Sequence, residues 1–282
     1  MRMGKRKRSA AARAGSATQQ GRGLLRSPVR LAFVALAIVL VAAIGSAALL
    51  VFSRGGEGSP SGPKTAAIVN QLSLTQPNPE FVSAARSLLA EAGYLVDYFP
   101  GEQVTVDLYR SLPQRDYDLI ILRVHAGITT EVDLTSGEKL ETEYVSLFTG
   151  EPYAADKYPE EQLNRLGKAV YYDGADPLFG IGPRFVEESM EGTFDDTLIV
   201  MMGCDGLRSQ RTGQAFLDKG ASAFVSWSKP VSASHTDATT ERLLENLLRE
   251  GLGASEAVSR TASEIGPDPF YEAELRILTA GG

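Results

Sequence analysis

Tyr117–Val124 reads YDLIILRV and runs directly into His125-Ala126-Gly127. A short aliphatic run of this kind, closed by a glycine, predicts a buried strand. A second such run, Thr197–Met202 (TLIVMM), leads through Gly203 into Cys204-Asp205-Gly206. Working outward, Thr65–Leu72 (TAAIVNQL), Tyr94–Phe99 (YLVDYF) and Ala221–Trp227 (ASAFVSW) read as further strands, and Glu274–Leu278 as a last one. Between them lie helix signals. Asn78 and Pro79 open a helix in which Phe81, Ala84, Ala85, Leu88 and Leu89 recur at helical spacing, and Gly93 ends it. Thr105–Leu112, Arg184–Met190, Thr212–Lys219, Asp237–Glu250 and Ala254–Ile265 read as helices too. Strands alternating with helices predict an α/β fold: a three-layer sandwich with a mostly parallel sheet flanked by helices, joined by right-handed crossovers. The rhythm breaks between about 128 and 191. There Val132–Leu147 reads as a polar hairpin turning at Ser136-Gly137, and Ala169–Tyr172 as a short strand, so this stretch is expected to be an insertion.

The α/β domain is expected over residues 64–282, and the residues before it differ sharply in character. Residues 1–54 hold ten basic side chains and no acid, which leaves 18 basic and 35 acidic residues, net −17, for the remainder. Leu31–Phe52 (LAFVALAIVLVAAIGSAALLVF) is apolar or small throughout except for Ser46. At 1.5 Å per residue it would span about 33 Å as a helix, enough for a bilayer core. The expectation is a single transmembrane helix at 31–52, preceded by a basic cytoplasmic tail at 1–30. A Gly/Ser/Pro linker follows at 53–63. The excess of basic residues on the N-terminal side puts the tail in the cytoplasm and the domain outside it, at a cell membrane crossed once.

Composition excludes several chemistries. One cysteine leaves no disulfide framework and no multi-cysteine zinc site, and two histidines more than 100 positions apart exclude the H-E-x-x-H pattern. A domain of net −17 argues against nucleic acid as a partner. No phosphate-binding glycine loop follows the first strand, and neither a metal nor an organic cofactor is expected. His235, in SASHTDATTE, reads as a solvent-facing loop residue just ahead of a helix.

Ligands of open α/β sheets bind at the carboxyl ends of the strands. His125 and Cys204 each follow a predicted core strand at that edge. Neighbouring strands lie about 4.8 Å apart, so the two loops can bring imidazole and thiol together for acyl transfer. Taken singly, each residue has a simpler reading, the cysteine as a small buried hydrophobe and the histidine as an ordinary polar strand end. Asp205 beside the thiol could select basic substrates, although a neighbouring carboxylate also opposes thiolate formation.

The layout resembles a known family. A strand ending in His-x-Gly, a long insertion, a strand ending in Cys-x-Gly, then FLDKGASAFVSW and TTERLLENLLREGLGASEAV, is similar to the caspase-like (clan CD) cysteine peptidases. The nearest look is to gingipain-type and CHAT-domain proteins, and the resemblance covers Thr65 to about Ser263. It implies a caspase-like fold and an endopeptidase acting on protein or peptide substrates, which the expected anchor would hold at the membrane outside the cytoplasm. In that reading Cys204 is the nucleophile and His125 the general acid/base. The backbone N–H groups of Cys204 and Ala126, with Gly127 close by, would form the oxyanion site. The loop opening at Trp227 and Ser228 would be a substrate-pocket wall. The sequence departs from the family in having Ala126, where glycine usually follows the histidine, and MGCDG around the thiol. The alternative is therefore a catalytically inactive caspase-like or CHAT module that binds or scaffolds a partner at the membrane.

Overall fold

The computed structural model describes residues 62–132 and 138–280. The basic tail, the expected membrane helix at 31–52, most of the linker and the expected turn at Ser136-Gly137 lie outside the described residues. Among the described residues, no helix is long and apolar enough to cross a membrane.

In chain order the strands are β1 (Thr65–Asn70), β2 (Leu95–Pro100), β3 (Leu119–Arg123), β4 (Ala126–Val132), β5 (Lys139–Pro152), β6 (Leu166–Ala169), β7 (Leu178–Ile181), β8 (Leu198–Met201), β9 (Ala223–Trp227) and β10 (Leu275–Thr279). The helices are α1 (Pro79–Glu91), α2 (Val106–Ser111), α3 (Pro183–Glu188), α4 (Arg211–Asp218), α5 (Ala233–Leu248) and α6 (Ala254–Ile265). A six-stranded sheet has the order β10-β9-β8-β3-β1-β2 and is parallel except for β10, which runs antiparallel to β9. The fold is thus mixed α/β with a mostly parallel sheet flanked by helices.

Successive side chains of a strand point to opposite faces, and here both faces are apolar, as a parallel sheet buried on two sides requires. Ala66, Ile68, Leu119, Ile121, Val200 and Val225 meet Phe81 and Leu88 of α1, Leu243 and Leu244 of α5, and Ala257 of α6. Ala67, Val69, Ile120, Leu122, Ile199 and Phe224 face the other way, toward Leu108 of α2, Phe185 of α3 and Phe216 of α4. Local signals set the helix starts. Asn78 accepts a hydrogen bond from the Phe81 N–H at 3.1 Å with Pro79 as the first helical residue, and Thr105 caps α2 through the Leu108 N–H.

The break in the alternation is a second sheet. Strands β4, β5, β7 and β6 pair antiparallel in that order. Val145, Leu147, Leu166, Phe179 and Ile181 from it join the core on the α3–α4 side. Ala169 closes β6, so the expected strand at Ala169–Tyr172 is displaced, and Tyr171 and Tyr172 belong to the loop that follows. Helix α5 begins at Ala233, about a turn earlier than its apolar stripe suggests. That puts His235 inside the helix, its ring 5.3 Å from the Trp227 ring, rather than in a solvent-facing loop.

From β1 the chain crosses to β2 on one side, and from β3 it proceeds to β8 on the other. The switch point of the sheet therefore lies between the carboxyl ends of β1 and β3, where ligand crevices form. A buried polar network occupies it. Arg123 closes β3 and is wholly buried. Its Nε and one Nη donate to the two carboxylate oxygens of Asp237 in α5 at 2.7 and 2.8 Å. The same Nη also donates to the Gln76 carbonyl at 3.0 Å, and the other Nη donates to the Asn70 side-chain oxygen at 2.9 Å. Asn78 donates to Asp237 at 2.8 Å. Asp237→Ala would leave a guanidinium buried without its counter-ion, and is expected to cost about 3–5 kcal/mol in urea unfolding. The paired change Arg123→Met with Asp237→Leu is expected to recover most of that loss.

Candidate active site at the carboxyl edge of the sheet

The backbones carrying His125 and Cys204 meet directly. The Met202 N–H donates to the Leu122 carbonyl at 2.9 Å, continuing the β3–β8 pairing past the strand end. At the next residue a Cβ on Gly203 would stand 2.5 Å from the Val124 carbonyl oxygen and 3.3 Å from the Ala126 nitrogen. Only glycine allows this approach. His125 lies between those two atoms in the chain, and Cys204 follows the glycine. The edge predicted from the order of strands therefore does bring the two loops together.

The side chains are held separately. The imidazole Nε2 lies 2.8 Å from the Thr75 hydroxyl, beyond the end of β1. The His125 N–H donates to the Gln71 side-chain oxygen at 3.0 Å, and Gln71 donates in turn to the Tyr171 hydroxyl at 2.6 Å. The Tyr171 ring stands edge-on to the imidazole at 5.0 Å, with Phe148 at 5.9 Å on another side. Nδ1 makes no hydrogen bond among the described residues. The thiol is half-buried against Trp227, Val231 and Ala273, and accepts from the Val231 N–H at 3.4 Å. No hydrogen bond joins thiol and imidazole; such catalytic bonds are commonly long without substrate.

Both groups are neutral near pH 7. Burial, and then the positive charge of Arg123, lower the His125 pKa from 6.5 to about 4. Burial raises the Cys204 pKa; Asp205 and Asp268 add to the rise, and the Val231 N–H works against it. The resting groups are a neutral thiol and an unprotonated imidazole, not a thiolate–imidazolium pair. When the ring N–H at Nε2 donates to Thr75, Nδ1 carries the lone pair and can accept a proton, while the thiol itself donates to the Val231 carbonyl at 3.7 Å.

The candidate oxyanion donors divide. In the β4–β5 ladder the Phe148 N–H donates to the His125 carbonyl, and Ala126 stands opposite Leu147. That makes Ala126 a member of a non-hydrogen-bonded pair, whose N–H points away from β5, whereas Gly127 turns its N–H into the ladder. The Ala126 N–H remains available, as does that of Cys204, which donates to no other residue's backbone carbonyl among the described loops. Trp227 is 1% exposed and donates to Thr236 at 2.9 Å, and Ser228 accepts from the Glu274 N–H at 3.0 Å. Both are buried, and Trp227 packs behind the thiol rather than forming an open wall. Asp205 is 7% exposed with φ at +57°.

Sequence reasoning missed Thr75, Gln71, Tyr171 and the Arg123–Asp237 pair. The first two follow β1 at the switch point, so strand order alone could have drawn attention to that loop. A separate open groove of about 640 Å³ runs along α1, lined by Asn70, Asn78, Arg86 and Tyr98 among others, and includes neither Cys204 nor His125. The chain matches no known protein-family model and no curated protein.

Because the folded-state pKa of His125 lies below its ordinary 6.5, the unfolded chain binds more protons between those values. Stability is expected to fall as pH drops from 6.5 to about 4. Urea midpoints across that range are expected to decline less steeply for His125→Asn than for the parent protein.

Proposed function

We propose that this protein is a membrane-anchored, extracytoplasmic cysteine endopeptidase of caspase-like type. The observation that carries the reading is the contact of Gly203 with the backbone flanking His125, which sets the thiol and the imidazole at the ends of adjacent parallel strands. Nδ1 of His125 takes the Cys204 proton as the sulfur attacks the substrate carbonyl. The carbonyl oxygen becomes an oxyanion facing the Cys204 and Ala126 N–H groups. Collapse breaks the C–N bond, the imidazolium protonates the departing amine, and a thioester to Cys204 remains. Water, deprotonated by the same imidazole, releases the acid and restores the thiol. Thr75 orients the ring in this scheme, and a resting neutral pair suits a base that works only once substrate is bound.

A second reading, an inactive caspase-like module that binds a partner at the membrane, is favoured by the separate anchoring of the two side chains and by the Tyr171 ring packed edge-on against the imidazole.

An electrophilic peptide probe is expected to modify Cys204, with labelling lost in His125→Ala and slowed about tenfold or more in Thr75→Val. Failure of varied peptide probes to label the folded protein would favour the binding module. The anchor is tested separately. Full-length protein is expected to stay with membranes after an alkaline wash, and deletion of residues 1–60 to release it.

A further inference from the structure

The groove of about 640 Å³ along α1 includes neither Cys204 nor His125, and it is built from two parts. Its floor is the end of β1 and the middle of β2. Asn70 is 1% exposed, and the buried Arg123 fixes its side-chain oxygen. The Asn70 amide group therefore donates to the Tyr98 hydroxyl, at 3.1 Å. That hydroxyl accepts the bond, and its own proton has no acceptor among the described residues. The wall of the groove is α1, from Pro79 to Ala90. Ser83, Arg86 and Ser87 line it at spacings of three and four positions, so they share one face of the helix.

The unused groups of this groove are donors. Among the described residues, the two serine hydroxyls and the Arg86 guanidinium make no hydrogen bond or ion pair. A guanidinium can only donate, and the hydroxyls of Ser83, Ser87 and Tyr98 each have a proton to give. The spare charge of Arg86 contrasts with other arginines of the domain. Arg110, Arg123, Arg211, Arg242 and Arg249 each hold a carboxylate. No Asp or Glu lines the groove. Glu91, on the same helix, is taken by Arg249 at 2.9 Å. In a domain so rich in acids, a recess with an arginine and no carboxylate is a local site of positive potential.

We infer that this groove binds an extended peptide segment through an acidic side chain that pairs with Arg86. A planar guanidinium matches a carboxylate through two parallel hydrogen bonds, and the neighbouring hydroxyls can donate to the same oxygens. The shape suits a peptide. From Pro79 to Ala90 the wall is about 16 Å long at 1.5 Å per residue, the span of about five residues of extended chain. Pro77, Pro79 and Val82 add apolar surface at one end for the flanking side chains. The acidity of the domain as a whole disfavours a polyanion, whereas a single carboxylate meets the single free cation. The thiol and the imidazole take no part, so the inference stands apart from the peptidase reading.

The test uses full-length Cys204→Ala protein, immobilised, so that no cleavage intervenes. Three pools of capped hexapeptides are passed over it, randomised at every position but one, where glutamate, glutamine or lysine is fixed. The glutamate pool is expected to be retained about tenfold more than the glutamine pool, and the lysine pool least. Adding Arg86→Gln is expected to abolish that preference, and Arg86→Glu to turn it toward the lysine pool. Arg86 has no partner to lose, so the urea midpoint of Arg86→Gln is expected to equal that of the parent protein. Equal retention of the three pools, or a glutamate preference that survives Arg86→Gln, would overturn the inference. So would displacement of the retained pool by an equal concentration of a single capped glutamate, which would make the groove a site for a small carboxylate. Loss of peptidase activity in every assay would leave these retention ratios unchanged and would count against the peptidase reading alone.

Discussion

The bidentate pair between Arg123 and Asp237 governs the carboxyl edge of this protein. A guanidinium buried at the end of a central strand is tolerable only when its donors are used, and this one is bound to Asp237, Asn70 and the Gln76 carbonyl. Those partners lie in α5, at the end of β1 and in the loop before α1. Asn78 extends the same network, since it caps α1 while donating to Asp237. One ion pair therefore fixes how two helices and two strands meet at the switch point of the sheet. Pairs of this kind add little net stability over an apolar replacement, but losing one partner is severe. Their strength lies in fixing a single arrangement of the elements that join there.

The network also reaches the candidate chemistry. Arg123 is two residues from His125, and its charge reinforces the burial that keeps the imidazole unprotonated. Gln71, the residue after Asn70, holds the His125 backbone. Thr75, on the same loop, holds the ring. The thiol belongs to a different assembly, formed by the ends of β8 and β9 and by the loop that Asp268 braces. The two assemblies touch through backbone, where Gly203 lies against Val124 and Ala126. An arrangement made this way fixes the spacing of the loops tightly and leaves the two side chains separately tethered.

Several parts of this were legible in the sequence for definite physical reasons. The aliphatic runs ending at His125 and Cys204 are short and closed by turn residues, as buried strands are, and strands alternating with amphipathic segments can bury both faces of a sheet in few ways. Asn78-Pro79 and Gly93 bracketed α1 through capping chemistry that acts over three or four residues. With one cysteine and two histidines in the chain, the candidate pair followed once the strand order was assumed. The second sheet was visible only as a break in rhythm. Its short strands are partly polar, and their pairing joins residues far apart in sequence, such as Leu166 with Ile181.

What the sequence determined by itself is the class of fold and the placement of His125 and Cys204 after two core strands, at one edge of the sheet. These depend on local periodicity and on scarcity, which a single chain displays directly. What only the tertiary structure decided is the state of those side chains. The choice of Thr75 as the partner of His125, the packing of Tyr171 against the imidazole, the neutral resting thiol and the burial of Asp205 all arise from contacts across 27 to 100 residues of chain or from burial. Hydrogen bonding and desolvation depend on which groups become neighbours in space, and no local pattern encodes that.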